Sequence, residues 1–307
     1  MKILLDGYFD HNLGDDLMLT LAAEGLKEHE LYIPSKKINI DNVEYTEAKS
    51  GFDAYLKVIG SGFQIYNTLG IAYRLCEMHR ESRYAPIKAV IGSNISPFKN
   101  KACEAVIKTH LSLFDFITVR DRFSHDYLER NLRNSKSHVY PDMVFSLPDN
   151  MIPEVKCENM LGVAVRNGIS PIITARAVDG YIEETGNNVL ILCFDTGIEN
   201  DALAAEEVIK NSKYKNKLEI VLYENIPDML AEMKRCSVIL GARFHSIVLA
   251  ARMGIPFTPL SRTSKMSQML TDIGYVSGEP FNLPENISHL AAQHIETFKE
   301  YLKGLSR

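Results

Sequence analysis

Cysteine is scarce and unpaired in this chain of 307 residues. Its five cysteines, Cys76, Cys103, Cys157, Cys193 and Cys236, include no C-x-x-C pair. That spacing offers neither a disulfide frame nor a thiolate zinc site, and it suits a reducing compartment. Long apolar runs are also missing. No uncharged stretch approaches the ~20 residues that span a bilayer, and the apolar run before Asp6 is too short for a signal peptide. Excess positive charge is absent: 34 Lys and Arg against 39 Asp and Glu give a net charge of −5, which argues against a broad nucleic-acid-binding face. There is no phosphate loop of the form G-x-x-x-x-G-K-[ST] and no G-x-S-x-G nucleophile elbow. No His, Asp or Glu spacing points to a metal, and no resident cofactor is implied. Internal repeats and low-complexity segments are missing too. These exclusions leave a soluble, cytoplasmic globular protein, 46% hydrophobic and 24% charged, with enough chain for two domains.

What is present is a repeated alternation of short apolar runs and amphipathic stretches. Residues 2–5 form a strand pattern ending at Asp6-Gly7, a loop covers 8–16, and Leu17, Leu19, Leu21, Ala22 and Leu26 set out a helix face. Strand, glycine-bearing loop and helix open an α/β unit. Further strands are expected at 31–33, 55–59, 87–91 and 116–119, closing at Val139, with helices at 65–78, 101–113 and 124–132. The turns Gly60-Ser61-Gly62 and Gly92-Ser93-Asn94 stand at strand ends, where open parallel sheets place ligands. Pro148 and Pro153 then break the periodicity. Beyond them, strands at 161–165, 189–194, 218–223 and 238–240 alternate with helices at 171–184, 201–210, 227–234, 247–251 and 266–273, and a last helix covers 287–305. This pattern predicts an α/β protein of two Rossmann-like domains facing a cleft, residues 1–150 and 151–307.

The stretch richest in chemistry is 236–265. A short apolar strand ends at Gly241, and Arg243 and His245 follow two residues apart at the start of an apolar helix. A guanidinium, an imidazole and free helix N–H groups at one point make an anion site with an acid/base beside it. A buried crossover whose arginine pairs with a carboxylate fits the same residues. Of nine histidines, His245 is the one in a strand-to-helix turn beside an arginine. Arg120 and Arg166 end other strands and are candidates for a second guanidinium. For Arg120, an internal pair with Asp121 or Asp142 is the competing role. In the first loop Asn12, Asp15 and Asp16 can cap a helix. Carboxylates and amides there also suit sugar hydroxyls better than phosphate, with His11 alongside.

In order along the chain, Asn12-Leu13-Gly14-Asp15-Asp16, Gly60-Ser61-Gly62, Ile91-Gly92, Thr118-Val119-Arg120-Asp121, Pro141-Asp142, Val163-Ala164-Val165-Arg166, Gly241-Ala242-Arg243-Phe244-His245-Ser246 and the segment from Ser261 to Lys265 resemble the polysaccharide pyruvyl transferase family. Ser61 departs from a common glycine, and Arg262-Thr263-Ser264 departs from the family's approach to the lysine. The resemblance implies a GT-B-like fold and phosphoenolpyruvate as donor. It implies a saccharide acceptor, compatible with a lipid carrier, and as product a pyruvate ketal across two hydroxyls with phosphate released. It places Arg243, Phe244 and Lys265 against the donor, with Arg120 preferred to Arg166 as second clamp, and leaves His245 as proton donor or as a hydrogen-bond donor to the departing phosphate. The acceptor side falls in the first domain, with His11, Asn12, Asp15 and Asp16. A lipid-linked acceptor would bring the protein to the inner membrane face. The same scaffold could instead serve a nucleotide-sugar glycosyltransferase or a non-catalytic sugar- or phosphate-binding protein.

Overall fold

A computed structural model describes residues 1–61, 63, 68–95, 98–132, 136–261, 263–279 and 281–305. Gly62, Arg262, Arg307 and the expected helix start at Ile65 lie outside them. The chain forms two compact units. The first comprises Met1–Phe9, Met18–Met143 and Ser288–Arg307, and the second Asp10–Leu17 and Val144–Ile287.

The first unit carries a seven-stranded parallel sheet. Its strands are β1 (Lys2–Gly7), β2 (Glu30–Ile33), β3 (Val43–Tyr45), β4 (Ala54–Val58), β5 (Ile87–Ser93), β6 (Phe116–Val119) and β7 (Lys136–Val139), in the order β3-β2-β1-β4-β5-β6-β7. The helices are α1 (Leu13–Gly25), whose first residues belong to the second unit, then α2 (Thr68–Glu81), α3 (Lys101–Leu111) and α4 (Arg122–Asn131). Residues of β4 are buried on both faces, as a central parallel strand requires. The last helix, α10 (Ile287–Leu305), returns to this unit from Ser288 onward. His294 is fully buried there. Its Nε2 donates to the Pro141 carbonyl at 2.9 Å and its Nδ1 accepts from the Thr118 hydroxyl. Burial pushes its pKa down to about 4, so the ring is the neutral tautomer that those two bonds require.

The second unit has a five-stranded parallel sheet: β8 (Met160–Ala164), β9 (Val189–Cys193), β10 (Leu218–Leu222), β11 (Cys236–Gly241) and β12 (Phe257–Pro259), in the order β10-β9-β8-β11-β12. Its helices are α5 (Pro171–Thr185), α6 (Asp201–Asn211), α7 (Ile226–Arg235), α8 (Phe244–Arg252) and α9 (Ser264–Asp272). Three of the starts carry a side-chain cap that the sequence supplies locally. The Ser170 hydroxyl accepts from Ile173 N–H with Pro171 at the helix start, Asn225 accepts from Asp228 N–H, and Thr263 accepts from Met266 N–H. Strand order reverses between β8 and β11, so the turns after these two strands lie side by side. That is the switch point where doubly wound sheets take ligands.

The break expected at 150/151 and the compact units differ in three places. Val144, Phe145 and Leu147 are fully buried and count with the second unit. Arg252 donates to the Leu147 carbonyl at 2.9 Å and to Asp149 at 2.6 Å, so the proline-bounded segment is fastened down and is no free linker. The last helix rejoins the first unit, and Asp10–Leu17 joins the second. The expected boundary places those loop residues in the first domain.

Candidate functional site

The site in the second unit is built where β8, β9 and β11 end. Arg243 follows β11, caps α8 with its backbone, and is 9% exposed. Its Nε donates to Asp201 Oδ2 at 3.0 Å, and Nη2 donates to Asp201 Oδ1, a two-pronged contact with one carboxylate. Nη1 donates to Glu199 Oε2 at 2.6 Å and lies 4.0 Å from Asp195 Oδ2. Arg166, just beyond β8, brings its Nε to 3.4 Å from the same Glu199 oxygen. Two guanidiniums from the switch-point strands therefore share Glu199. Burial pushes the Glu199 carboxyl up, but the charges of Arg243 and Arg166 outweigh it and the net shift is downward. Asp201, fully buried, is raised by burial against the pull of Arg243.

Of the two roles weighed for Arg243 from the sequence, the pairing with carboxylates is the one these contacts display. One edge of its guanidinium serves a buried carboxylate and the other faces a half-exposed one. Arg120 sits in the first unit, 6% exposed. It donates to Asn94 and Asp142 at 2.6 Å each, and to Ser61 at 3.3 Å. The Arg-Asp, Pro-Asp and glycine-turn motifs of the first half are parts of that one network, and Asp142 is the partner the internal-pair reading named. Arg166, the other candidate for the second clamp, shares the Glu199 carboxylate with Arg243.

His245 occupies the first turn of α8, its ring edge-on to Phe244 at 5.2 Å between centroids. Phe244 is nearly buried, and Lys265 Nζ stands 5.6 Å from its ring centroid. A cavity of about 220 Å³ opens beside Arg166, walled by Val165, Gly168, Ile169, Pro171, Leu203 and Leu260 among others.

The loop from the start of the chain comes to this same place. Leu13 N–H donates to the Phe194 carbonyl at 3.0 Å, and Thr196 N–H to the His11 carbonyl at 3.1 Å. Asn12 Nδ2 donates to Asp195 at 3.0 Å, and Ile198 N–H to Asp10 at 2.7 Å. Two glycines permit the close approach. A Cβ on Gly197 would stand 2.0 Å from the Asp10 carbonyl oxygen, and one on Gly14 would stand 1.7 Å from His245 Nδ1. Asn12 also caps α1, accepting from Gly14 and Asp15 N–H at 3.1 and 3.4 Å. The capping role and the location at the site therefore coexist. The His11 side chain is exposed, on a backbone with φ of 50°.

Asp16 is 5% exposed and its Oδ2 accepts from the Tyr223 hydroxyl at 2.8 Å. Burial raises its pKa from 3.8 to about 7, opposed by the Tyr223 hydrogen bond and assisted by Asp15 and Asp195. A raised carboxyl prefers its neutral form in the folded state, so ionisation costs stability as pH climbs from about 4 to about 7. Asp16→Asn removes that cost. Its stability advantage over the wild type should be absent near pH 4 and grow to on the order of 2–4 kcal/mol by pH 8. Urea denaturation of both proteins across this range checks it, and a gap that stays constant with pH would refute it.

Among the described residues one trio has metal-ligand proximity: Glu77, Glu81 and His110, all buried in the first unit. Lys57 Nζ lies 2.5 Å from Glu77 and 2.6 Å from Glu81, so an ammonium supplies the cation these carboxylates need. Periodicity hid this network, since Lys57 reads as a polar residue in a strand. Glu199, Asp201 and Tyr223 also escaped sequence reading. The only available signal was their position just after strands, which many residues share.

Among solved structures, the chain is similar to UDP-GlcNAc 2-epimerase from Methanocaldococcus jannaschii in complex with UDP-GlcNAc and UDP, at 11% identity and a TM-score of 0.61, over 98% of this chain and 100% of that one. The enzyme from Neisseria meningitidis bound to UDP-GlcNAc aligns at 11% identity and TM-score 0.55, covering 99% and 92%. That from Rickettsia bellii aligns at 9% and 0.56, covering 100% and 98%. At such identities the likeness is one of fold, and the fold is GT-B-like. No curated protein matches by sequence. No described helix is long and apolar enough to cross a membrane. The model of the polysaccharide pyruvyl transferase family matches residues 12–264, from the Asn12 that bridges to Asp195 to the first residue of α9. With most of its length matched, this chain belongs to the polysaccharide pyruvyl transferase family.

Proposed function

We propose that the protein transfers the pyruvyl group of phosphoenolpyruvate onto two hydroxyls of a saccharide, forming a ketal and releasing phosphate. Family membership together with the shared-anion pair Arg166 and Arg243 supports this reading. Phosphoenolpyruvate carries a carboxylate and a phosphate on three carbons, and fork-shaped guanidiniums match both. Lys265 adds a point charge beside Phe244.

The chemistry needs a proton on the methylene carbon of the enol. His245 delivers it, leaving an oxocarbenium-like centre at the next carbon. One sugar hydroxyl attacks there and gives up its proton, restoring the acid. The phosphate leaves as the second hydroxyl closes the ring, and it carries away the second proton. Asn12, Asp15 and Asp16 supply the amide and carboxylate groups that hold the hydroxyls, with His11 at the rim.

Thermal shifts with phosphoenolpyruvate and with a panel of nucleotide sugars test the donor, since a ligand that binds the native state raises its melting midpoint. Phosphoenolpyruvate is expected to raise it, and phosphate release should follow on adding a saccharide. Stabilisation by a nucleotide sugar alone would assign the donor site to glycosyl transfer instead. Binding of phosphoenolpyruvate with no phosphate release on any saccharide would leave a binding protein.

A further inference from the structure

Three carboxylates surround Arg243, and they are not held alike. Asp201 accepts from the N–H groups of Phe194 and Asp195 at 3.1 and 3.0 Å. Asp195 accepts from Gly197 N–H at 3.1 Å and from Asn12. Both are at most 1% exposed. The Glu199 side chain is 43% exposed, and among the described residues its carboxylate is bonded by Arg243 and Arg166 alone. Asp195 and Asp201 are framework, whereas Glu199 is free to turn out into water.

We propose that Glu199 is a resident anion of the donor site, occupying between Arg166 and Arg243 the place where the ligand's phosphate binds. The idea rests on the reading above that these two arginines hold the donor. Arg243 stays oriented throughout, because Asp201 keeps its Nε and Nη2 edge. Only Nη1, with Arg166 Nε, changes partner. An arriving monoanion would replace one negative charge by another and gain no attraction. A phosphate ester, at −1.5 to −2 near neutral pH, brings more charge to the same guanidiniums. Leaving costs Glu199 little, because a partly exposed ion pair is weak and the freed carboxylate regains water. Glu199 thereby sets a charge threshold that keeps chloride and simple carboxylates out of the site.

Isothermal titration of the full chain with inorganic phosphate, at low and high chloride, tests this on wild type and Glu199→Gln. The variant should bind phosphate about fivefold tighter at low chloride. Chloride should compete visibly in the variant and hardly at all in the wild type. Unchanged or weaker phosphate binding in the variant overturns the proposal. So does loss of the folded protein, since that would make Glu199 a structural clamp. Because inorganic phosphate is the probe, the outcome does not depend on the donor's identity. If phosphoenolpyruvate binds neither protein better than phosphate does, the donor assignment fails while the result on Glu199 stands.

Discussion

Arg243→Ala is expected to destabilise the second unit by about 3–5 kcal/mol, as removal of one partner from a buried ion pair does. The cost comes less from the lost attraction than from what is left behind. Asp201 is fully buried and Asp195 nearly so, and neither can follow the missing guanidinium into solvent, because backbone N–H groups hold both. Burial already pushes Asp201 upward. Without the arginine it should move further up, so part of the loss should return as pH falls. Arg243→Lys should recover only part of the stability, since an ammonium cannot donate two parallel bonds to one carboxylate. Urea denaturation of the wild type and both variants at two pH values gives the comparison. A loss below about 1 kcal/mol would mean the network behaves like a surface pair.

The largest effect on turnover is expected at His245. If the imidazole delivers the proton, as proposed, His245→Gln should lower kcat by about 10²–10⁴-fold while the KM for phosphoenolpyruvate moves only a few-fold. Gly14→Ala should produce a related defect from the other side of the ring. Its Cβ would lie 1.7 Å from His245 Nδ1, so the imidazole must swing away. Turnover that survives in His245→Gln, with only donor affinity reduced, would make this residue a phosphate ligand and not the acid.

The sheets were legible in sequence because parallel strands are buried on both faces and read as short apolar runs between amphipathic stretches. Helix α10 was read at the bounds the structure has, while Val43–Tyr45 went unseen. That strand is three residues long with two exposed, and nothing periodic marks it. The central pairing of Arg243 with His245 at a strand-to-helix turn was visible because both lie in one short stretch. What surrounds them was not. Asp201 and Glu199 reach Arg243 over 42 and 44 residues of chain, and Tyr223 reaches Asp16 over 207. Contacts at such separation leave no local pattern. The expected domain break has a related limit: two prolines mark a change of direction, and whether the segment is packed depends on Arg252, about a hundred residues away.

The strap Asp10–Leu17 has a consequence for anyone who would recombine this scaffold. Gene fragments cut at 143/144 would separate Phe194, Asp195, Gly197 and Tyr223 from the residues they bond or abut. A chimaera with the first half of a relative would import a foreign strap against a native socket. Exchange should therefore succeed only when residues 10–17 travel with 144–287, as one inherited module interrupted by the other.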